Sequence, residues 1–310
     1  MFINSARLFP GRSQMPELHT PHGHTRHSWT KIVWLYLMLT PSLLLGWQVL
    51  TLERALIAAG LGLLTLCLGH SVGLHRGIIH RAFETSRAFR NVLVTLFILT
   101  GLGGPLSWIR LHYVRDYWQN QPDCPDYFAY RHGILRDFYW NLHLRYVPTQ
   151  AELVEIPREL SEDPWLRFFE RTWPLYTLVL AGLLALIGGW ELVIVALCMR
   201  ISAGILGHWF VGIVAHKWGY MRYAIEGAAE EGRNTFVLGL ISFGEGFHNN
   251  HHAYPRSARM GHAWWEVDLG WLAIRAFERL GLVWKVLAHD RPDSGVKPAA
   301  RPMPTVWRMG

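Results

Sequence analysis

The chain has 310 residues, 51 % of them hydrophobic and only 17 % charged, which excludes a disordered chain and argues against an ordinary water-soluble domain. Its net charge of +7 comes from Lys and Arg scattered singly between apolar stretches, which suits membrane orientation rather than a nucleic-acid surface. Three cysteines, Cys67, Cys124 and Cys198, form no CxxC pair, so neither a disulfide framework nor a zinc knuckle is implied.

Residues 1–30 are polar, with Pro10, Pro16 and Pro21 and no apolar core of the kind a cleavable signal needs. They read as a cytoplasmic N-terminal segment, in which His19, His22, His24 and His27 suit a polar surface better than a metal site. The apolar pattern then predicts four membrane spans near residues 32–50, 55–74, 175–190 and 192–214. Each can cover roughly 30 Å of hydrocarbon at about 1.5 Å per helical residue, the short third one with some thinning. Thr51–Arg54 turns the first pair and Glu191 the second. A fifth apolar run, residues 92–104, is short and glycine-rich, and is expected to lie at the interface or re-enter rather than cross. With this parity 28 of the 30 Lys and Arg fall on one side, so both termini are expected in the cytoplasm, most simply at an inner membrane. The prediction is an all-α integral membrane protein, its membrane domain spanning residues 31–290, with a loosely ordered tail at 291–310.

Histidines gather where the spans meet that side. His75 and His80 follow the second span, and His112 lies with Arg115 and Asp116 after the interfacial run. His208, Gly212 and His216 recur every four residues at the end of the fourth span, and His248, His251 and His252 sit in the last segment. Residues three and four apart share a helix face, so the last three can point at one place, as can His112 and Asp116. Neutral imidazole is a ligand for iron, zinc or copper, and the convergence at one membrane boundary points to a redox metal beside lipid chains. Each cluster alone could be a solvated or interfacial run; it is their coincidence that carries the reading. His132, His143, His262 and His289 read as surface residues. His70 and Arg200, inside spans, read as structural.

These clusters resemble the boxes of the membrane fatty acid desaturases of the acyl-CoA delta-9 type. His75-Arg-Gly-Ile-Ile-His80 matches the first box, HxxxxH. Gly103-Gly104-Pro105-Leu106-Ser107-Trp108 matches the approach to the second. Gly244-Glu245-Gly246-Phe247-His248-Asn249-Asn250-His251-His252 matches the third closely. Trp264 to Asp268 and Gly281 to Trp284 match the family's amphipathic stretch beyond that box, and His216 matches an isolated histidine ending the fourth span. The resemblance implies four transmembrane helices under a cytoplasmic helical cap, a pair of bound irons, an acyl tunnel, and oxygen-dependent removal of two hydrogens from a saturated acyl chain carried on CoA, carrier protein or a lipid ester. It also implies a separate electron donor such as ferredoxin, rubredoxin or cytochrome b5, since the chain has neither CxxC pairs nor an HPGG haem motif. Membrane lipid is the other partner, and nucleic acid is not one.

Two departures stand out. The family's HRxHH second box reads His112-Tyr113-Val114-Arg115-Asp116 here, and the family's asparagine four residues before the isolated histidine is Gly212. Arg cannot lose its proton to become a ligand, and at about 5 Å it repels a unit of metal charge by roughly 3 kcal/mol at an effective dielectric near 20. The expected metal ligands are therefore His75, His80, His112, Asp116, His216, His248, His251 and His252, with Arg115 turned away onto a carboxylate. His208 is a further candidate, and so is a role for Asp116 behind a ligand imidazole. Two irons are expected, or one if the altered box leaves a position incomplete. The alternatives are a hydroxylase or decarboxylase of an apolar metabolite, and a metal-poor lipid-binding homologue.

Overall fold

A computed structural model describes residues 22–149, 156–225 and 228–289, together with the backbone of 19–20 and 296–298. The proline-marked start of the chain and most of the 291–310 tail lie outside the described residues. The molecule is mostly helical, and three helical stretches are long and apolar enough to cross a membrane.

The first, α1 (Trp29–Val49), ends where Arg54 donates to the Val49 carbonyl at 2.8 Å, so the one basic residue of the expected outer turn caps a helix. The second, α2 (Leu52–Ile79), starts from a Thr51 cap and widens from Leu63 onward into a π-helix with i→i+5 hydrogen bonds. Gly69 and Gly73 make room for α3 (Arg87–Ile98): a Cβ at Gly69 would lie 2.3 Å from the Phe97 nitrogen, and one at Gly73 2.7 Å from the Leu93 Cβ. Small residues four apart thus let two backbones touch. The apolar run that begins at Val92 is accordingly the buried half of α3, with Leu93, Val94, Phe97 and Ile98 inside, followed by a turn through Gly101 and Gly103 at positive φ.

Next come α4 (Pro105–Gln119) and α5 (Ile134–His143), then the short α6 (Arg158–Ser161). The third long stretch is Pro164–Lys217, comprising α7 (Pro164–Val193), a π-helical passage at Ile194–Met199 and α8 (Arg200–Lys217). Gly188 and Gly189 break it, the latter at φ +69°, so the interruption precedes the Glu191 turn expected from the charge pattern. Glycine supplies a backbone conformation that glutamate does not. Arg200 is buried and satisfied, donating to Thr65 Oγ1 (3.1 Å), Ala196 O (2.9 Å) and Leu99 O (2.8 Å), and so ties α8 to α2 and to the end of α3.

Leu43, Leu44, Trp47, Leu178, Leu186 and Ile187 are all exposed. Apolar surface on this scale is what an integral membrane protein presents to lipid. Behind it follow α9 (Phe236–Ile241), α10 (His248–Ala253) and α11 (Leu269–Arg279). The all-α expectation needs one correction, because short antiparallel ladders stitch distant segments together. β2 (Gly23–His27) lies between β1 (His19–Thr20) and β4 (Leu144–Pro148), β3 (Glu84–Thr85) pairs with β6 (Val283–Trp284), and β5 (Tyr223–Ile225) with β7 (Val296–Pro298). Strands of two to five residues carry no alternation long enough to read from sequence.

Candidate metal centre

The ends of α2 and α8, the middle of α4 and the short α10 bring seven histidines into two adjoining groups: His75, His80, His112 and His251, and then His216, His248 and His252. Within each group the ligand atoms lie within 4.8 Å of one another. The π-helical turn explains the first box. The His80 nitrogen bonds to the His75 carbonyl at 3.0 Å, five residues back, so residues five apart stack and the two Nε2 atoms come to 3.1 Å. His112 Nε2 is 2.9 Å from His75 Nε2. In the other group His248 Nε2 is 3.2 Å from His216 Nε2 and 2.9 Å from His252 Nε2.

The third box does not point all its imidazoles at one place. His248 and His252, four apart, face His216, while His251 sits among the other group with ring centroids 4.7 Å from His75 and 4.6 Å from His80. One short helix therefore serves both groups.

Carboxylates stand behind the rings. Glu245 Oε2 is 2.7 Å from His75 Nδ1, and Asp116 Oδ2 is 2.9 Å from His112 Nδ1, both contacts close in distance but bent in angle. Asp116 thus sits on the far side of the His112 ring from the converging Nε2 atoms. Burial opposes its ionisation, yet the adjacent His112 and the Arg115 guanidinium hold its carboxyl well below the usual range. A carboxylate at Nδ1 favours the proton there, leaving the Nε2 lone pairs of His75 and His112 facing each other at 2.9 Å. That juxtaposition repels unless a cation lies between the two. Nitrogens held about 2.1 Å from a shared ion and about 90° apart would be about 3.0 Å from each other. The donor set fits a transition metal. Burial also keeps the imidazoles neutral, pushing His80 down to about 3 and His252 to about 4, with His248 and His251 well below the ordinary range.

The frame around the groups uses residues whose role sequence reasoning did not assign. Arg76 is fully buried and forks onto Asp268 (2.9 and 3.1 Å), while also donating to the carbonyls of Phe243 and Ala258, both at 2.8 Å. It locks the end of α2 to the segment beyond the third box. The asparagines between the histidines are anchors. Asn249 Oδ1 accepts from the Arg222 and Tyr223 nitrogens, and Asn250 donates to Met260 O and Glu266. Buried Asn234 receives both of their backbone N–H groups at 3.0 and 3.1 Å. At the other end, Glu170 from α7 accepts from the Leu106 and Ser107 nitrogens (2.8 and 3.1 Å), capping α4 and fixing the helix that carries His112.

Other histidines stay outside the two groups. His208 packs on Trp108 and His70, with ring centroids 4.5 and 5.2 Å away. His22 meets Asp123 and His27 meets Tyr139, so both have partners away from the groups. His132 and His143, expected at the surface, are buried; their partners are Asp137, and Tyr36 with the Tyr139 carbonyl. His262 stacks on His289 at 3.7 Å. Arg115 pairs with a carboxylate, its Nε 3.8 Å from Asp116 Oδ1.

Comparison with known proteins agrees with this geometry. Residues 51–286 match the fatty acid desaturase family. The chain is 32 % identical over 228 residues to the sn-1 stearoyl-lipid 9-desaturase of Anabaena variabilis, covering 72 % of this chain and 80 % of that protein. It is 28 % identical over 233 residues to the sn-2 palmitoyl-lipid 9-desaturase of Nostoc sp. (strain 36), covering 73 % and 78 %. Over 218 residues it is 28 % identical to the acyl-CoA C20 Delta5-desaturase of Anemone leveillei, covering 69 % and 67 %. With three long apolar helices, two of them ending at the paired histidine groups, and with three quarters of its length matched, this chain belongs to the fatty acid desaturase family and is a fatty acyl desaturase.

Proposed function

We propose that the chain introduces a delta-9-like double bond into a saturated C16 or C18 acyl group carried on a membrane lipid, using iron at two unequal positions. The observation that carries this reading is the pair of adjoining imidazole groups at the ends of apolar helices. His75, His80, His112 and His251 would hold one iron, and His216, His248 and His252 the other. Bound iron supplies, with oxygen, the oxidising power that an unactivated C–H bond demands. The rest falls to this chain's residues. Glu245 and Asp116 keep the Nδ1 protons of His75 and His112 in place, and the Asn249–Asn250–Asn234 network fixes the pitch of α10 so that one helix feeds both positions. Arg76 and Asp268 keep the cap seated on α2, and burial keeps bulk water from the site. The lipid carrier is the substrate form named for the Anabaena and Nostoc relatives.

We read the topology as four crossings with the histidine groups and both termini in the cytoplasm, at an inner membrane. The Pro164–Lys217 stretch supports this, because 54 helical residues at about 1.5 Å each exceed twice the roughly 30 Å of hydrocarbon, and Gly188–Gly189 breaks the stretch. The 28-of-30 charge bias supports the orientation. Electrons would come from a separate donor (ferredoxin, rubredoxin or cytochrome b5), and the net charge of +7 favours an acidic one. The test is expression in a host supplied with saturated C16 and C18 chains, followed by analysis of lipid-bound and CoA-bound products. A new double bond in the lipid fraction, absent from the His251→Ala variant, is the expected result. Metal-loaded protein that yields only hydroxylated chains, or none altered, overturns the reading.

A further inference from the structure

Carboxylates steady His75 and His112 from behind, with Glu245 2.7 Å from one Nδ1 and Asp116 2.9 Å from the other. His216 is held differently. Among the described residues no carboxylate pairs with it, and its buried Nδ1 makes no well-aligned hydrogen bond. The torsion that turns an imidazole is broad and needs an outside restraint. Without one, His216 Nε2 would swing away from His248 Nε2, which lies 3.2 Å from it. The restraint here is an aromatic face. The Tyr130 ring lies flat on His216, with centroids 4.3 Å apart and planes 11° apart.

Tyr130 is buried and holds φ at +43°, a region that bulky residues rarely adopt. Strain of this kind persists only where the surroundings enforce it, and it gathers at functional sites. Here the surroundings are built. The segment that carries Tyr130 is tied to α8 on both sides of His216. On one side His132 Nε2 is 2.7 Å from Asp137 Oδ1, and the other Asp137 oxygen accepts from Trp209 Nε1 at 2.7 Å. On the other side Lys217, the residue after His216, donates to the His132 carbonyl at 2.6 Å. Tyr130 itself packs with Ile213, Val214 and Leu238. Its hydroxyl comes to rest over Gly212, one turn before His216, where a Cβ would approach it to 3.2 Å. A side chain at 212 would therefore crowd the ring that lies on His216. A strained backbone, two ties to α8 and a glycine opposite the phenol all serve one contact.

We infer that Tyr130 is the positioning residue of the three-histidine group, its ring face holding His216 in the ligating orientation that Glu245 and Asp116 secure for His75 and His112 in the other group. The inference rests on the proposed reading of the two groups as metal positions. A flat ring restrains rotation without drawing a proton to Nδ1, so His216 lacks the added basicity that a carboxylate lends a ligand imidazole. The test is stepwise cobalt(II) binding by the purified full chain, followed by chelator competition and visible absorption. The equivalent that His216→Ala removes marks the three-histidine position. Tyr130→Leu, which keeps apolar bulk without a flat face, should weaken that equivalent by about three- to tenfold, the worth of an aromatic stack. It should also alter the absorption of that equivalent, while the four-histidine equivalent binds as in the wild type. Tyr130→Phe keeps the ring and should restore both readings. An unchanged three-histidine equivalent in Tyr130→Leu overturns the assignment. Equal weakening of both equivalents, the mark of a loosened fold, overturns it too, as does a Tyr130→Phe protein that behaves like the leucine variant. A wild type that takes up no cobalt, or loses none in His216→Ala, overturns the metal reading instead, and the role of Tyr130 falls with it.

Discussion

Replacing Glu245 with Gln isolates the part played by a carboxylate behind a metal-facing imidazole. The side chain keeps its size and one acceptor, so the 2.5 Å hydrogen bond from Ser71 Oγ has a partner in either amide orientation. What changes is the contact at His75 Nδ1, 2.7 Å from Oε2. A neutral amide no longer favours a proton at Nδ1, and with its NH2 turned toward the ring it drives that proton to Nε2, the atom facing His80 and His112. Charge-assisted hydrogen bonds contribute about 1.5–3 kcal/mol, and the bent approach places this one near the lower end. The expected loss of metal affinity at the four-histidine position is thus about 10- to 30-fold, within the range typical of outer partners of metal-bound histidine. Competition titration of the purified protein against a chromophoric chelator measures it, with circular dichroism to verify retained helicity. Wild-type affinity in Glu245→Gln would refute the argument that the carboxylate sets the tautomer.

Asp116→Asn should act likewise on His112, lowering affinity without removing a whole equivalent of metal; complete loss of one equivalent would instead make Asp116 a ligand. Arg76→Leu leaves the Asp268 carboxylate buried without its fork, and should cost about 3–5 kcal/mol of stability, read as a large fall in Tm; an unchanged Tm would show that the lock is dispensable. The metal-free protein should lose stability as pH falls from about 6.5 toward 4. His80 and His252 titrate near 3 and 4 when folded, so in that window the unfolded chain binds more protons; a Tm flat with pH would contradict this. Cysteines placed at Leu52 and Arg279 should label from opposite sides of the membrane against a silent background, because Cys67, Cys124 and Cys198 are buried; labelling from the same side refutes the topology.

Much of the membrane architecture is legible because lipid leaves few options. Apolar length and the placement of Lys and Arg are enough to find α1, α2 and the long α7–α8 stretch. The connection inside that stretch is less legible. Glu191 is the conspicuous polar residue in the sequence, but charge does not bend a helix and the Gly188–Gly189 pair does. Gly69 and Gly73 display small-residue spacing openly, yet nothing in the spacing names α3 as the partner. The β ladders are invisible for a different reason: they are backbone pairings between segments far apart in the chain, so no local pattern encodes them.

The candidate site divides along the same line. Histidine identity and clustering are local, and the seven converging imidazoles are all among the residues the sequence singles out. Their allocation between two groups depends on helix type. In an α-helix five residues advance about 500°, leaving His75 and His80 about 140° apart; at the π-helical end of α2 their rings meet edge to face and their Nε2 atoms come together. The asparagines of the third box add the second half of this argument. Asn249 and Asn250 face inward to Asn234, Tyr223 and Glu266, holding a helix of only six residues that could not keep its own pitch in isolation. With that pitch fixed, His248 and His252 fall on one face and His251 on another, so a single turn of chain serves both groups. The spacing HisxxHisHis is therefore not one converging group but a divider between two, and the buried asparagines are what make the division rigid.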